Sequence, residues 1–485
     1  MELERLVAAL APEAVLGTPD PVEVQDLAYD TNAVAPGAAF FCVPGLRVDG
    51  HQFAAAAVER GAIALVVERP VEPHVPQLLV PSTRAAMATA ADVFFGEPTK
   101  ELEVAGVTGT NGKTTTAYLL HSILAAGGRR PGLLGTVESR IGDDVRPVVR
   151  TTPEAIDLQR TFREMLDAGN RSTAMEASSH AAALNRLDRV RFDALVFTNL
   201  TQDHLDFHGT MEEYFLAKRR LFTGAAPPPA AVNVGDAWGR QLAAELADLG
   251  RAPLVTFGFA DDAEIRPEDL VLDAAGARFR AGGIAVETAL RGRFNVENVL
   301  GAVAAGLLLD LDEDEIAAGV RSVEGVPGRF EAIEEGQPFT VVVDYAHTPD
   351  SLENVLRTAR EIAAGRVLAV FGAGGDRDRG KRPLMGKIAA DAADLVVVTS
   401  DNPRSEEPLA IIQDILQGAG MDVEIDPDRS SAIARALELA EPGDVVVIAG
   451  KGHEQGQEFE SGRKEPFDDV TVAREALRVR LGARA

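Results

Sequence analysis

The stretch Val104-Ala105-Gly106-Val107-Thr108-Gly109-Thr110-Asn111-Gly112-Lys113-Thr114-Thr115-Thr116 limits the fold of this chain more than any other. An apolar run suited to a buried strand enters a loop of glycines, hydroxyls and one lysine, and an apolar helical pattern, Ala117 to Leu124, leaves it. That order cradles a polyphosphate. Glycines let backbone N–H groups reach the oxygens, the helix N-terminus adds partial positive charge, Lys113 adds a full one, and the Thr114 hydroxyl suits Mg²⁺. The commoner pattern has a further glycine where Val107 stands, so the loop is the shortened form Gly109-x-x-Gly112-Lys113-Thr114. An ordinary glycine-rich turn is the alternative, and the Lys-Thr pair at its helix end argues against it.

Around this loop the chain reads as α/β throughout. Its 485 residues exceed a single core and predict several domains. Residues 1–98 read as a small N-terminal α/β unit. Residues 99–328 alternate strands and helices as a P-loop-type, mostly parallel sheet does. Residues 329–485 repeat the alternation as a Rossmann-like sheet. There Thr340 to Asp344, Arg366 to Phe371, Leu395 to Thr399 and Val445 to Ala449 are continuous apolar runs, the mark of strands buried on both faces. Polar residues gather where such strands end, which is where open α/β sheets bind ligands.

Charge and composition narrow the function. A net charge of −27 argues against nucleic acid or anionic membrane as the main partner, because both need clustered cations. The single cysteine, Cys42, sits in an apolar run and reads as core. No apolar run is long enough to span a membrane, and the acidic, amphipathic N-terminus is unlike a signal peptide, so a cytoplasmic protein is expected. Only seven of the 48 basic residues are lysine, at positions 100, 113, 218, 381, 387, 451 and 464, so a lysine marks a candidate site needing a primary amine.

Thr114, Glu176, Asp203 and His204 are oxygen and imidazole donors at strand ends, suited to Mg²⁺ and substrate phosphates. A surface acid is the alternative for Glu176, and a hydrogen-bonded core histidine for His204. The loop Gly372 to Gly375 lacks dinucleotide spacing, which argues against NAD. Among Arg377, Arg379, Arg382 and Arg404, the residues Arg379 and Arg382 read as a solvated charge run. Arg404, after Asn402-Pro403, is the better carboxylate ligand. From the residues alone, an ATP-dependent ligase or kinase competes with a nucleotide-switch protein. The arginine-rich second lobe favours the enzyme.

At this point five motifs resemble the Mur ligases of peptidoglycan synthesis. They are Gly109 to Thr115, Met175-Glu176-Ala177-Ser178-Ser179-His180, Thr198 to Asp206, Phe294-Asn295-Val296-Glu297-Asn298 and Asp344-Tyr345-Ala346-His347. Three more, Gly374 to Pro383, Asp401-Asn402-Pro403-Arg404 and Gly450-Lys451-Gly452-His453-Glu454, resemble the branch that adds a diamino acid to UDP-N-acetylmuramoyl-L-alanyl-D-glutamate. The resemblance implies that a carboxylate of the UDP-linked dipeptide attacks the γ-phosphate of ATP, and that an amine then displaces phosphate from the acyl phosphate. It implies that Gly109, Thr110, Asn111, Gly112, Lys113, Thr114 and Thr115 hold ATP, with Asn295, Arg329 and Asp344 as further nucleotide contacts. It places Mg²⁺ on Thr114, Glu176, His204 and Lys218, the last as a carbamate, which arginine cannot form. Lys113, Glu176, His204 and Lys218 would carry the catalysis.

On the substrate side the resemblance implies Thr31, Leu46, Arg47 and Val48 for the UDP end, and Thr151, Thr152, Ser178 and Arg186 for the muramoyl-dipeptide. Thr31-Asn32 and Leu184 depart from the residues common in the family. Arg377, Asp401, Asn402, Pro403, Arg404, Gly450 and Glu454 would form the amino-acid pocket, with Glu454 taking an ammonium. Arg404 suits the second carboxylate of meso-diaminopimelate, which L-lysine and L-ornithine lack. A monomer is expected, with no nucleic-acid partner and no membrane insertion.

Overall fold

Continuous apolar runs become strands whose alternate side chains feed two different cores, because successive residues of a strand point to opposite faces. The computed structural model describes residues 1–17, 22–45, 48–273, 275–420 and 423–482, and it forms two compact units. The first contains Met1–Gly106, Arg129–Leu195 and Ala217–Pro228; the second contains Val107–Gly128, Val196–Leu216 and Pro229–Ala485.

In the first unit a five-stranded sheet has the order Ala14–Leu16, Gln77–Leu79, Ala64–Val67, Ala38–Phe41, Asp26–Ala28. Phe41, Ala64 and Val66 pack on one face with Leu3, Leu6 and the helix Thr83–Phe94; Phe40, Leu65 and Val67 pack on the other with Cys42. Burial pushes the Cys42 thiol up to about 12, so it packs as an inert apolar group. The strand Ser172–Glu176 pairs in parallel with Pro131–Leu134, which continues through antiparallel strands Ser139–Ile141 and Asp144–Arg146. That antiparallel extension was not legible, because Val145 and its neighbours are exposed and carry no apolar period.

The second unit holds the helix Lys113–Ala126 after the phosphate-type loop. It also holds an antiparallel three-stranded sheet, Glu268–Asp273, Gly276–Ala281 and Ile284–Thr288. Its largest sheet has six strands in the order Glu331–Ile333, Thr340–Asp344, Val445–Ala449, Val367–Phe371, Leu395–Val398, Glu424–Ile425. All but the first are parallel. Val342, Ala369, Phe371 and Val447 face one core; Val341, Val343, Leu368 and Val446 face the other. Among the described residues no helix is long and apolar enough to cross a membrane.

Candidate active site

The phosphate-type loop is held open by backbone geometry that only glycine tolerates. Gly109 has φ +151°, and a Cβ there would lie 1.8 Å from Thr198 Oγ1; Gly112 has φ +85°, and a Cβ would lie 2.2 Å from Asn298 Oδ1. Asn199 braces the loop from beneath. Its carbonyl accepts from Thr110 N–H and its Oδ1 from Asn111 N–H, both at 2.9 Å. Thr198 Oγ1 donates to the Asn111 carbonyl at 2.6 Å, and Thr201 N–H donates to Thr110 Oγ1 at 3.0 Å. Asn111 Nδ2 donates to Asp350 Oδ2 at 2.7 Å. Lys113 Nζ folds back on the loop, donating to the carbonyls of Gly109 and Thr110.

Thr114 and Thr115 are buried at the start of the helix. Thr114 Oγ1 accepts from Arg329 Nη2 at 2.9 Å, and the Arg329 guanidinium lies over the Tyr345 ring at 4.4 Å. Asp344 spends both carboxylate oxygens on backbone, accepting from Phe330 N–H at 2.6 Å and Ala346 N–H at 2.7 Å. Burial raises its carboxyl despite Arg329 nearby. Asn295 is buried and accepts from Asn298 Nδ2 at 3.0 Å, so it supports the side chain that faces Gly112.

The segment Thr198 to Asp206 reaches a second loop at its far end. Gln202 Nε2 donates to Asp378 Oδ2 at 3.0 Å, Asp203 Oδ1 lies 3.7 Å from Lys381 Nζ, and Asp206 Oδ2 lies 3.8 Å from Arg377 Nη1. Asp203 also sits 3.2 Å from His204 Nε2 and 3.7 Å from His347 Nε2. Burial alone would raise its carboxyl; His347, His204 and Lys381 hold it well below the usual carboxylate range. His204 has a left-handed backbone, φ 55°, and a partly exposed ring.

Around Asp401-Asn402-Pro403-Arg404 the second unit builds a dense polar network. Lys451, fully buried, donates to Asn402 Oδ1 at 2.9 Å and Glu454 Oε2 at 3.0 Å, with Asp401 Oδ1 at 3.7 Å. Asn402 Nδ2 also donates to Glu454 Oε2. Pro403 is buried, and a Cβ on Gly450 would meet Asp401 Oδ2 at 2.8 Å. Arg404, at φ 52°, donates from Nε to Glu458 Oε2 and from Nη1 to the Gly375 carbonyl. Arg377 is half exposed.

In the first unit Glu176 is 1% exposed, which rules out the surface acid. Its oxygens accept from Thr136 N–H at 2.7 Å and Thr136 Oγ1 at 3.0 Å. Thr151 Oγ1 lies 3.0 Å from Thr136 Oγ1, and Thr152 Oγ1 donates to the Glu176 carbonyl while accepting from Ser178 N–H. Ser178 caps the short helix Ser179–Ala183. Arg186 donates to the Thr152 carbonyl and pairs with Glu154 at 2.7 Å. Thr136, Thr151, Thr152, Glu176, Ser178 and Arg186 are therefore one cluster. Lys218 is buried in the helix Met211–Arg219. Thr31 is partly exposed, its carbonyl accepting from Arg60; Val48 is exposed, and Leu46 and Arg47 lie outside the described residues.

Family models match nearly the whole of this arrangement: the Mur ligase family, catalytic domain over residues 23–111, the Mur ligase middle domain over 107–306, and the Mur ligase, glutamate ligase domain over 328–452. A relative from Solibacter usitatus is 46% identical, over 98% of this chain and 96% of its own. The chain belongs to the Mur ligase family. That relative, and one from Geobacillus kaustophilus at 48% identity over 96% of each chain, are named UDP-N-acetylmuramoyl-L-alanyl-D-glutamate–2,6-diaminopimelate ligases. A solved structure of the same name is 34% identical with a TM-score of 0.70, covering 98% of this chain and 99% of its own.

Several residues of this Mur ligase escaped the sequence reading. Arg382 was expected in solvent, yet it is fully buried, donating to Glu406, Asp414 and the Gly374 carbonyl. Its hydrogen bond holds the Glu406 carboxyl down at about 2. The signal was present: Arg382, Met385, Gly386 and Ala389 share helical spacing and are all buried. Arg379 is solvated as expected. Asp350, Arg429 and Asp469 act through partners distant in sequence, which spacing does not reveal.

Proposed function

We propose that the chain is an ATP-dependent amide-bond ligase that adds meso-diaminopimelate to UDP-N-acetylmuramoyl-L-alanyl-D-glutamate in peptidoglycan synthesis, releasing ADP and phosphate. The reading rests on one observation. The segment Thr198 to Asp206 is bonded at one end to the phosphate-type loop and at the other to the loop carrying Arg377 and Lys381. That tie supports a reading in which the ATP-activated acid and the incoming amine meet along this segment.

Triphosphate oxygens would replace the Gly109 and Thr110 carbonyls as acceptors for Lys113, while the N-terminus of the helix Lys113–Ala126 would add its partial positive charge. Arg329, held on Thr114 and stacked on Tyr345, adds charge beside the same loop. A substrate carboxylate attacks the γ-phosphorus and ADP leaves. The amine attacks the acyl phosphate, and phosphate leaves as the amine loses its proton. Positioning and charge neutralisation carry most of the first step.

Among the described residues no three His, Cys, Asp or Glu side chains form a metal-holding group. Mg²⁺ binds through few protein oxygens and the substrate phosphates, and the Thr114 hydroxyl sits at the start of the helix that follows the phosphate-type loop. Thr114, Glu176, His204 and a carbamate on Lys218 would hold it, and it would neutralise charge on the transferring phosphoryl group. The cluster of Thr151, Thr152, Ser178 and Arg186 would take the muramoyl-dipeptide; Thr31, Leu46, Arg47 and Val48 would take the UDP end.

Asp401, Asn402, Pro403, Arg404, Gly450 and Glu454, with Arg377, would take the diamino acid. Arg404, already paired with Glu458, would give its remaining donor to a ligand that carries a second carboxylate. The test is ADP release by purified protein over a panel of UDP-muramoyl peptides and amino acids. Release that requires the dipeptide and meso-diaminopimelate together supports the reading. Preference for L-lysine or L-ornithine would overturn the amino-acid assignment, and ATP turnover indifferent to every acid and amine would favour a nucleotide switch.

A further inference from the structure

Arg404 does not present a bare guanidinium. Its Nε donates to Glu458 Oε2 at 3.0 Å and its Nη1 to the Gly375 carbonyl at 2.8 Å. These bonds leave the Nη2 amine of Arg404 and the Oε1 oxygen of Glu458 uncommitted, an open donor beside an open acceptor. Both side chains are partly exposed, 21% for Arg404 and 33% for Glu458, so a small ligand can reach the pair.

The pair is also built, not incidental. Arg404 N–H donates to the Glu458 carbonyl at 3.0 Å, and Glu458 N–H donates to Asn402 Oδ1 at 2.9 Å. Gln457 Nε2 anchors the same strand to the Asp401 carbonyl at 2.7 Å and Ser400 Oγ at 2.9 Å. Asn402 Oδ1 simultaneously accepts from Lys451, and Asn402 Nδ2 donates to Glu454. Glu454 and Glu458 are thus hung from one asparagine, with Arg404 between the turn and the second acid.

We propose that Glu458 is a specificity-determining residue of the amino-acid site, its free oxygen binding an ammonium while Arg404 Nη2 binds the carboxylate on the same carbon. The inference deepens the proposed function and rests on its amino-acid assignment. An α-amino-acid head carries one cation and one anion on adjacent atoms. A side-by-side donor and acceptor, locked by backbone bonds, match that head better than either charge alone. A ligand with a distal carboxylate but no distal amine leaves the Glu458 oxygen unanswered.

The experiment compares meso-diaminopimelate with L-2-aminopimelate, which has the same length and second carboxylate but lacks the second amine. Glu458→Gln keeps an oxygen for Arg404 Nε and removes the charge. It is expected to raise KM for meso-diaminopimelate about tenfold or more, as loss of a charged hydrogen bond does. KM for L-2-aminopimelate, KM for ATP and kcat stay near wild type, and Glu458→Asp recovers part of the loss. An equal rise for both amino acids would overturn the proposal by making Glu458 only a support for Arg404. No rise for either would place it outside the site. Wild-type enzyme inactive with meso-diaminopimelate would overturn the amino-acid assignment itself, and this inference with it.

Discussion

The deepest ion pair of the second unit supports the proposed amino-acid site from below, and breaking it gives the sharpest test of how that site is held. Arg429 and Asp469 are both fully buried. Arg429 donates from Nε to Asp469 Oδ1 at 2.8 Å and from Nη2 to Oδ2 at 2.7 Å. It also donates to the carbonyls of Ser400 at 3.2 Å and Ala449 at 2.9 Å, the residues immediately before Asp401 and Gly450. One guanidinium therefore staples the ends of two neighbouring loops. Burial opposes its charge, and the Asp469 carboxylate outweighs burial, leaving Arg429 more basic than usual.

Asp469→Asn keeps the shape of the pair and removes its negative charge, turning one acceptor into a donor that faces Nη2. Stranding a buried cation in this way costs about 3–5 kcal/mol. Replacing both partners, Arg429→Met with Asp469→Leu, removes the stranded charge and should recover all but about 2 kcal/mol, the worth of the two carbonyl bonds. Urea unfolding followed by circular dichroism gives these stabilities, and with the singles Arg429→Met and Asp469→Leu added the cycle should show coupling of at least about 2 kcal/mol. The double variant should still raise KM for the amino acid while leaving KM for ATP unchanged, because only the Ser400 and Ala449 carbonyls are released. A cost below about 1 kcal/mol for Asp469→Asn, or a double variant less stable than the single one, would refute the reasoning.

Three further outcomes follow from the geometry. Gly112→Ala puts a Cβ 2.2 Å from Asn298 Oδ1 at φ +85°, so KM for ATP should rise at least about tenfold with about 1–2 kcal/mol lost from backbone strain; an unchanged KM contradicts it. Glu297 has its carboxyl pushed up to about 7, by burial first and Asp350 second. Stability from this group is full below about pH 4.5, its ordinary value, and is lost as pH rises through 7. Glu297→Gln should flatten that decline, worth about 1–2 kcal/mol after allowance for partial exposure, in thermal unfolding scans from pH 5 to 8. Lys218→Arg should abolish turnover, and Lys218→Ala should regain part of it with short carboxylic acids; wild-type activity in the arginine variant would exclude a carbamate there.

The parts legible in the sequence were those whose physics is local. Thr340–Asp344 and Val445–Ala449 form strands at the predicted residues, because an uninterrupted β-branched run has one good use in an α/β chain. Gly109 and Gly112 were readable because a phosphate-type loop needs its glycines near its lysine. Arg382 was misjudged because a run of basic residues resembles a solvated face until its helical phase is compared with Met385 and Ala389. Asp469 could not be found at all. Its role exists only once residues forty apart in sequence face each other.

The same contrast explains how a chain of net charge −27 can accommodate anionic substrates. The cations around the second-unit site mostly arrive already paired: Lys381 with Asp203, Arg382 with Glu406, Arg377 with Asp206, Lys451 with Glu454, Arg404 with Glu458. Pairing reduces long-range attraction and fixes where each donor points. An incoming phosphate or carboxylate then gains mainly by matching fixed hydrogen-bond directions, which distinguishes between acids of equal charge. Such a site trades binding strength for orientation. Orientation is what an acyl transfer needs, since the amine must meet the activated carbonyl before water does.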